Sequence, residues 1–332
     1  MEDILKIIEN FKGKKIMIIG DIMLDEYVMG SINRISQEAP VPILEVEKIA
    51  YFPGGGANTA YNIKALGDEV MLLGVVGRDR EGEILLELLK TKGLANENIF
   101  IDAKRKTTLK KRIIAKGQQV IRLDFEDRIP ICPDLENKIL ALFKKKIKQI
   151  DAVIISDYAK GVATDALVKN IISAARANKV LCLIDSKSSD YSKYKNCHLI
   201  TPNEKELAQA LDADIDDEKD LLAAGDLLFS SLNCDALLVK QGVKGMVLFE
   251  KGGKAFHFPA INQKAIDVSG AGDTSIAAFA LSLASGANFK QAMVVASHAC
   301  GVVVGKRGTA VVSPEELKES LKNNSNYHYS TL

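Results

Sequence analysis

The sequence has 332 residues, of which 47% are hydrophobic and 26% charged, and its formal net charge is +1. That length suits one large α/β domain with a small appendage and a sizeable core. The near-zero charge excludes a protein that gathers nucleic acid or an anionic membrane through its overall field, so any cationic site must be built locally.

Met1 to Lys14 is charged and amphipathic and lacks the apolar run of a signal peptide. Lys15-Ile16-Met17-Ile18-Ile19-Gly20 is continuously apolar after its first residue, which predicts a strand buried on both faces. Residues 27–47, with Ala39-Pro40-Val41-Pro42, are rich in β-formers but lead into no helix. Phe52-Pro53-Gly54-Gly55-Gly56-Ala57-Asn58 opens a helix running to about Leu66. Val70 to Val76 predicts a strand and Arg80 to Lys92 a helix. Residues 107–125 predict a hairpin around Lys116-Gly117-Gln118. Further strands are expected at Ala152–Ser156, Val180–Ile184 and Ala236–Lys240, with helical patterns between them. This alternation implies a mostly parallel sheet covered on both faces, with 27–47 and 107–125 forming a small β lid. The domain spans 1–320, and the polar tail 321–332 is expected to fray.

The apolar stretch Ile276 to Ala287 is too short to cross a bilayer, so a cytoplasmic enzyme with no membrane partner is expected. Five cysteines (Cys132, Cys182, Cys197, Cys234, Cys300) form no C-x-x-C pair and read as reduced thiols. The histidines His198, His257, His298 and His328 have no metal-ligand spacing, and no transition metal is expected.

Four segments carry chemistry. Gly270-Ala271-Gly272-Asp273 precedes the apolar helical pattern Thr274 to Ala284. A glycine turn opening a helix presents free N–H groups and the positive end of the dipole, which suits a transferring phosphoryl group. Asp273 there could accept a proton from an attacking hydroxyl, or simply cap the helix. Gly54 and Gly55 let a ligand approach the backbone, and Asn58 can donate to and accept from sugar hydroxyls, although a tight turn explains the glycines equally well. Asp25, in Gly20-Asp21-Ile22-Met23-Leu24-Asp25, lies beyond the first strand, where ligands of open α/β sheets bind. Asn203 and Glu206, in Thr201-Pro202-Asn203-Glu204-Lys205-Glu206, could position hydrated Mg²⁺ and phosphates or form a capping box.

In this order the motifs resemble the PfkB, or ribokinase-like, family of carbohydrate kinases from Gly20 to about Pro314. Its paired signatures are Gly-Gly-Gly-Ala-Asn at 54–58 and Asp-Val-Ser-Gly-Ala-Gly-Asp-Thr at 267–274. Arg34-Ile35-Ser36-Gln37-Glu38-Ala39-Pro40, Gln118 to Glu126 and Ser156-Asp157-Tyr158-Ala159-Lys160-Gly161 are similar to the D-glycero-D-manno-heptose 7-phosphate kinases of ADP-heptose and lipopolysaccharide precursor synthesis. No H-x-G-H nucleotidyltransferase motif is present, so the stand-alone kinase is expected rather than a fusion.

The resemblance implies a three-layer sandwich, ATP and Mg²⁺ as cofactors, and a homodimer joined through the lid. It implies Asp273 as base, an anion hole at Gly270, Ala271, Gly272 and Asp273, and sugar contacts from Asp25, Gly55 and Asn58. It also implies nucleotide contacts from Lys187, Asn203, Glu206, Lys240, Gly242 and Gly245, and a monovalent cation such as K⁺ near Asp267. Lys240 stands where the family usually has Thr or Ser, and Ser186 departs from the usual Asp-Pro-Lys. The dianionic far phosphate of the implied substrate needs cations, and Arg34, Arg122 and Lys160 are the expected donors.

Overall fold

The computed structural model describes residues 2–67, 69–262, 264–324 and 329–332. In chain order, α1 (Glu2–Glu9) precedes β1 (Lys15–Gly20), β2 (Ile22–Ile35) and β3 (Pro42–Gly55). There follow α2 (Gly56–Leu66), β4 (Glu69–Gly77), α3 (Arg80–Thr91), β5 (Ile99–Asp102), β6 (Thr108–Ala115) and β7 (Gln118–Phe125). The second half runs α4 (Pro133–Lys146), β8 (Ala152–Asp157), α5 (Asp165–Ala177), β9 (Leu181–Ser186), β10 (Leu199–Ile200), α6 (Glu204–Leu211) and α7 (Glu218–Leu232). It ends with β11 (Ala236–Lys240), β12 (Met246–Glu250), β13 (Lys254–Phe258), α8 (Ala271–Ala284), α9 (Phe289–Val303), α10 (Pro314–Asn323) and β14 (Ser330–Thr331).

The main sheet has the order β14-β13-β12-β11-β10-β9-β8-β1-β4-β5. It is parallel from β5 to β11 and antiparallel from there to β14. β1 shows why its run is apolar without alternation. Ile16 and Ile18 face a core shared with α1, α2, α8, α9 and α10, whereas Met17 and Ile19 face a second core shared with α4, α5 and α7. Both layers of helices therefore need apolar side chains from every strand residue, each contributing about 1.5–3 kcal/mol on burial. The antiparallel pair β12 and β13 lies beyond the last strand expected from the sequence, Ala236–Lys240.

The lid is a four-stranded sheet of order β3-β2-β6-β7. Its strands reach further inward than residues 27–47 suggest: β2 leaves β1 at Ile22, and β3 returns at Gly55 directly into α2. β6 and β7 form the expected hairpin. Its two-residue turn has Lys116 at φ 49° and Gly117 at φ 83°, the positive-φ pair that matches strand twist.

Fraying does not describe the end of the tail. Ser330 and Thr331 pair with His257 and Phe256 on the free edge of β13, and the Tyr329 ring meets Phe256 edge-on at 5.8 Å. A sheet edge offers unpaired backbone groups, and the chain end covers them here. His328 lies outside the described residues. All five cysteines are free thiols.

Candidate active site

The order of strands reverses around β1, which has β8 on one side and β4 on the other, and ligands of such sheets bind beyond the carboxyl ends near that point. The loops there deliver Asp21 after β1, Tyr158 after β8, Lys187 after β9 and Asn203 after β10, while Lys240 ends β11. α8 adds Asp273 from the opposite direction. It is apolar almost all round, with every residue from Asp273 to Ser282 buried, so it runs through the interior rather than along the surface.

Asp273 is 4% exposed. Its Oδ2 accepts from Asn58 Nδ2 at 2.7 Å, and its Oδ1 accepts from the Tyr158 hydroxyl at 2.8 Å and the Thr59 hydroxyl at 3.2 Å. Burial, then the nearby Asp185 carboxylate, push its pKa up to about 6, against the hydrogen bonds from Asn58 and Tyr158. A carboxylate so tuned is ionised at neutral pH yet basic enough to take a proton. Gly270 makes the turn possible. It sits at φ 80°, and a Cβ there would lie 2.6 Å from Asn58 Nδ2. Ala271 N–H is drawn back to Val268 O at 3.2 Å, so Gly272 and Asp273 lead the open first turn of α8.

On one side of this turn is a cavity of about 300 Å³. Its far wall is apolar, with Val243, Ile261, Ala265, Val268 and Val304, and its mouth is polar, with Lys187, Asn203, Lys240 and the backbone of Ala271 and Gly272. Gly242 and Gly245 line it as well. An apolar slot with cations at one end fits a base with a phosphate chain.

Lys240 Nζ lies 2.7 Å from Asp185 Oδ1 and 3.5 Å from where a Cβ on Gly272 would stand. Burial alone would raise Asp185, but the ammoniums of Lys240 and Lys187 overcome it and hold the carboxyl at about 2. Lys187 pairs with Glu206 at 2.6 Å, and although burial opposes it, Asp185 and Glu206 hold its pKa above the ordinary lysine value.

Asn203 and Glu206 do form a capping box: the Asn203 side chain accepts from Glu206 N at 2.9 Å, and Asn203 N donates to Glu206 Oε2 at 2.8 Å. The buried Asp185 Oδ2 has no protein partner. With Glu206 across Lys187, it gives the donor set that suits the waters of a Mg²⁺ arriving on ATP phosphates. Among the described residues no group of three or more His, Cys, Asp or Glu assembles a metal site.

On the other side is the lid. Its strand register places Asp25 beside Lys110 and Phe52, Tyr27 beside Arg112, Arg112 beside Arg122, and Lys110 beside Asp124, all on one face. Asp25 Oδ1 accepts from Arg112 Nη1 at 2.5 Å, and the guanidinium lies 5.1 Å from the centre of the Tyr27 ring. Burial raises the Asp25 pKa despite Arg112, and burial lowers that of Lys110. Gly54 leaves the room this needs, since a Cβ there would lie 2.6 Å from Asp25 Oδ2.

The structure thus gathers Asp25, Gly54, Gly55, Asn58, Lys187, Asn203, Glu206, Lys240, Gly242, Gly245 and the turn 270–273 around one cleft. Asp267 supports it, using its two oxygens on the N–H groups of Ser269 at 2.9 Å and Gly308 at 3.0 Å. Arg122 points the same way as Lys110, with its guanidinium forked on Asp124 at 2.8 and 3.0 Å, and Lys160 is paired with Glu126 at 2.7 Å.

Arg34 is not brought to the cleft. It stands nine residues beyond Asp25 along β2 (25 to 34), roughly 30 Å at ~3.3 Å per residue, and pairs with Glu45 at 3.5 Å. Sequence reasoning missed Thr59, Lys110, Arg112 and Tyr158. Period-2 alternation along β6 could have pointed Lys110 and Arg112 to Asp25's face, but nothing local signals Thr59 or Tyr158.

The model of the pfkB family carbohydrate kinases matches residues 14–316. The bifunctional protein HldE of Geobacter metallireducens is 41% identical over 305 residues, covering 92% of this chain and 62% of that protein. Its namesake in Helicobacter pylori J99 is 44% identical over 304 residues, covering 92% and 65%. The chain therefore spans less than two thirds of the length of these relatives.

Among solved structures, phosphofructokinase-2 from Escherichia coli in complex with substrates and products matches with a TM-score of 0.77 at 20% identity, over 94% of this chain and 100% of that one. Ribokinase of Arabidopsis thaliana complexed with ribose and ATP gives 0.74 at 19%, over 93% and 99%. At such identities these two show the fold, a three-layer ribokinase-like sandwich.

Proposed function

The chain belongs to the pfkB family of carbohydrate kinases, and from that premise we propose that it moves the γ-phosphoryl group of ATP to the 1-hydroxyl of D-glycero-D-manno-heptose 7-phosphate, giving the 1,7-bisphosphate. The observation that carries the reaction type is Asp273: a buried carboxylate raised to about 6, on the first turn of a glycine-led helix between an apolar cavity and a lid. The observation that favours a phosphorylated sugar is the lid face where Lys110, Arg112 and Arg122 gather beside Asp25 and Asp124, with the Lys160 charge near enough to act on Lys110. These join the motif resemblance to heptose 7-phosphate kinases.

In this reading the sugar lies against Asp25, Gly54, Gly55 and Asn58, its far phosphate toward Lys110, Arg122 and Lys160. Asp273 takes the proton of the 1-hydroxyl as that oxygen attacks the γ-phosphorus, and the bond to the bridging oxygen of ADP breaks. The N–H groups of Gly272 and Asp273 hold the phosphoryl oxygens, and Lys187 and Lys240 the remaining phosphate charge. Asn203, Glu206 and Asp185 would orient the waters of a Mg²⁺ ion arriving with ATP, which would supply charge neutralisation for the phosphates. A monovalent cation beside Asp267 would rest on carbonyls of the turn, and ATP as donor implies a cytoplasmic enzyme.

The lid also supports a homodimer. On the face opposite Asp25, the row Ile49, Val28, Ile113, Ile121 crosses the sheet, with Ile49 49% and Ile121 51% exposed. A second copy would cover this apolar row.

The test is phosphorus NMR of the products made from ATP and a panel of sugar phosphates and free sugars. The expected result is an anomeric phosphate on heptose 7-phosphate. Turnover of another sugar phosphate or a nucleoside, with heptose 7-phosphate untouched, overturns the substrate while leaving the kinase.

A further inference from the structure

Three donors hold the Asp273 carboxylate, and they are not alike. Asn58 and Thr59 belong to α2 and are 0% and 1% exposed, sealed behind the base. Tyr158 comes from the loop between β8 and α5 and stands between core and lid. Its ring is flanked by Lys187 Nζ at 5.8 Å and by Lys110 Nζ of the lid at 6.0 Å.

The backbone under this ring is fixed. Asp21 accepts from the N–H groups of Tyr158 at 2.8 Å, Lys160 at 3.0 Å and Val162 at 3.0 Å, and Ala159 is held at φ 56°. Any displacement of the Tyr158 hydroxyl must therefore come from its side-chain torsions, since the loop is tied in place.

An acceptor hydroxyl loses its proton to Asp273 only if it donates a hydrogen bond to that carboxylate. α2 closes the approach from behind, so the acceptor arrives from the lid side, where the Tyr158 hydroxyl already sits 2.8 Å from Oδ1. We propose that Tyr158 is a positioning residue whose hydroxyl stands in for the acceptor hydroxyl: it occupies the base in the sugar-free enzyme, bars water from that place, and yields when the sugar seats beneath the lid.

This rests on Asp273 being the base. Without the stand-in, water donates to Oδ1 instead. Asp273 then takes its proton as the water oxygen bonds to the γ-phosphorus and the bond to ADP breaks, releasing ADP and inorganic phosphate. Tyr158 thereby suppresses ATP hydrolysis in the absence of sugar.

The experiment compares ADP release from MgATP without sugar in the wild type, Tyr158→Phe and Tyr158→Phe/Asp273→Asn, with melting temperature as a control for folding. Phenylalanine keeps the ring and removes the hydroxyl. Sugar-free hydrolysis by Tyr158→Phe should rise at least about tenfold, a modest part of the ~10²–10⁴ that a positioned base supplies. The rise should vanish in the double variant. The acid limb of hydrolysis should also move to higher pH, since a donor to the ionised carboxylate is gone.

Unchanged hydrolysis in Tyr158→Phe, or a rise that survives in the double variant, overturns the proposal. So does loss of the sugar-free hydrolysis in Tyr158→Phe, which would make Tyr158 a support that orients the base. Because no sugar enters the comparison, it stands or falls apart from the heptose assignment.

Discussion

The floor of the cleft and its lid each bury an aspartate, and they do so in opposite ways. Asp273 is surrounded by neutral donors, Asn58, Thr59 and Tyr158, with another carboxylate nearby. Among the described residues its charge has no directly bonded counter-ion, which suits the proposed role of base. Asp25 meets a guanidinium at 2.5 Å, so its charge is matched and its remaining lone pairs are left for hydroxyls. The floor rests on two hydrophobic cores, whereas the lid carries half-exposed apolar side chains such as Ile49, Ile121 and Phe125. In the proposed reaction the well-packed floor does the chemistry and the less covered lid selects the sugar, and those roles call for different kinds of carboxylate.

Removing the base should break the comparison most severely. Asp273→Asn keeps the shape and should lower kcat by ~10²–10⁴ with KM for ATP little changed. A variant keeping more than about a tenth of wild-type kcat would sink the assignment. In the wild type, kcat/KM should fall as pH drops through about 6, because the base must be ionised.

The stability sign is opposite. A carboxyl raised in the folded state favours folding when protonated, and that stability is lost as pH rises from the unfolded value of 3.8 through about 6. The melting temperature of Asp273→Asn relative to wild type should therefore be higher at pH 8 than at pH 4, because only the wild type loses this stability as pH rises.

Breaking the lid pair comes next. Arg112→Ala leaves Asp25 buried without its cation, a loss of ~2–5 kcal/mol. KM for the sugar should rise at least about 30-fold, the low end of that range, with KM for ATP nearly unmoved. Equal damage to both substrates would show that Arg112 supports the whole lid instead.

Arg122→Ala should cost less, because its guanidinium is 47% exposed and already forked on Asp124. About a tenfold rise in KM for the sugar phosphate is expected, between a rim charge and a buried pair, together with a weaker preference over the free sugar. An unchanged preference removes Arg122 from the phosphate site.

Glu206→Gln should have the smallest effect. Gln still serves at N3 of the capping box, so melting should stay close to wild type while the Mg²⁺ concentration needed for half activity rises. A large fall in melting temperature with unchanged Mg²⁺ dependence would reduce Glu206 to a helix cap.

Much of this was legible in the chain alone. The apolar run at 15–20, the strands near 152, 180 and 236, and the hairpin at 116–117 follow from burial on two faces and from turn chemistry, which act over a few residues. The glycine-led helix with Asp273 on its first turn is local in the same sense.

Tertiary structure alone decided what surrounds that aspartate. Asn58 is 215 residues away in sequence, Tyr158 is 115, and Arg112 is 87 from Asp25. It also decided that Asp21 ties down the 158–162 loop, and that Arg34, although on the same strand as Asp25, lies far from the cleft. Periodicity and caps report a residue's neighbours within a turn or a strand. Which distant strand end faces which helix start depends on how the sheet is ordered and covered, and that is settled only when both cores close.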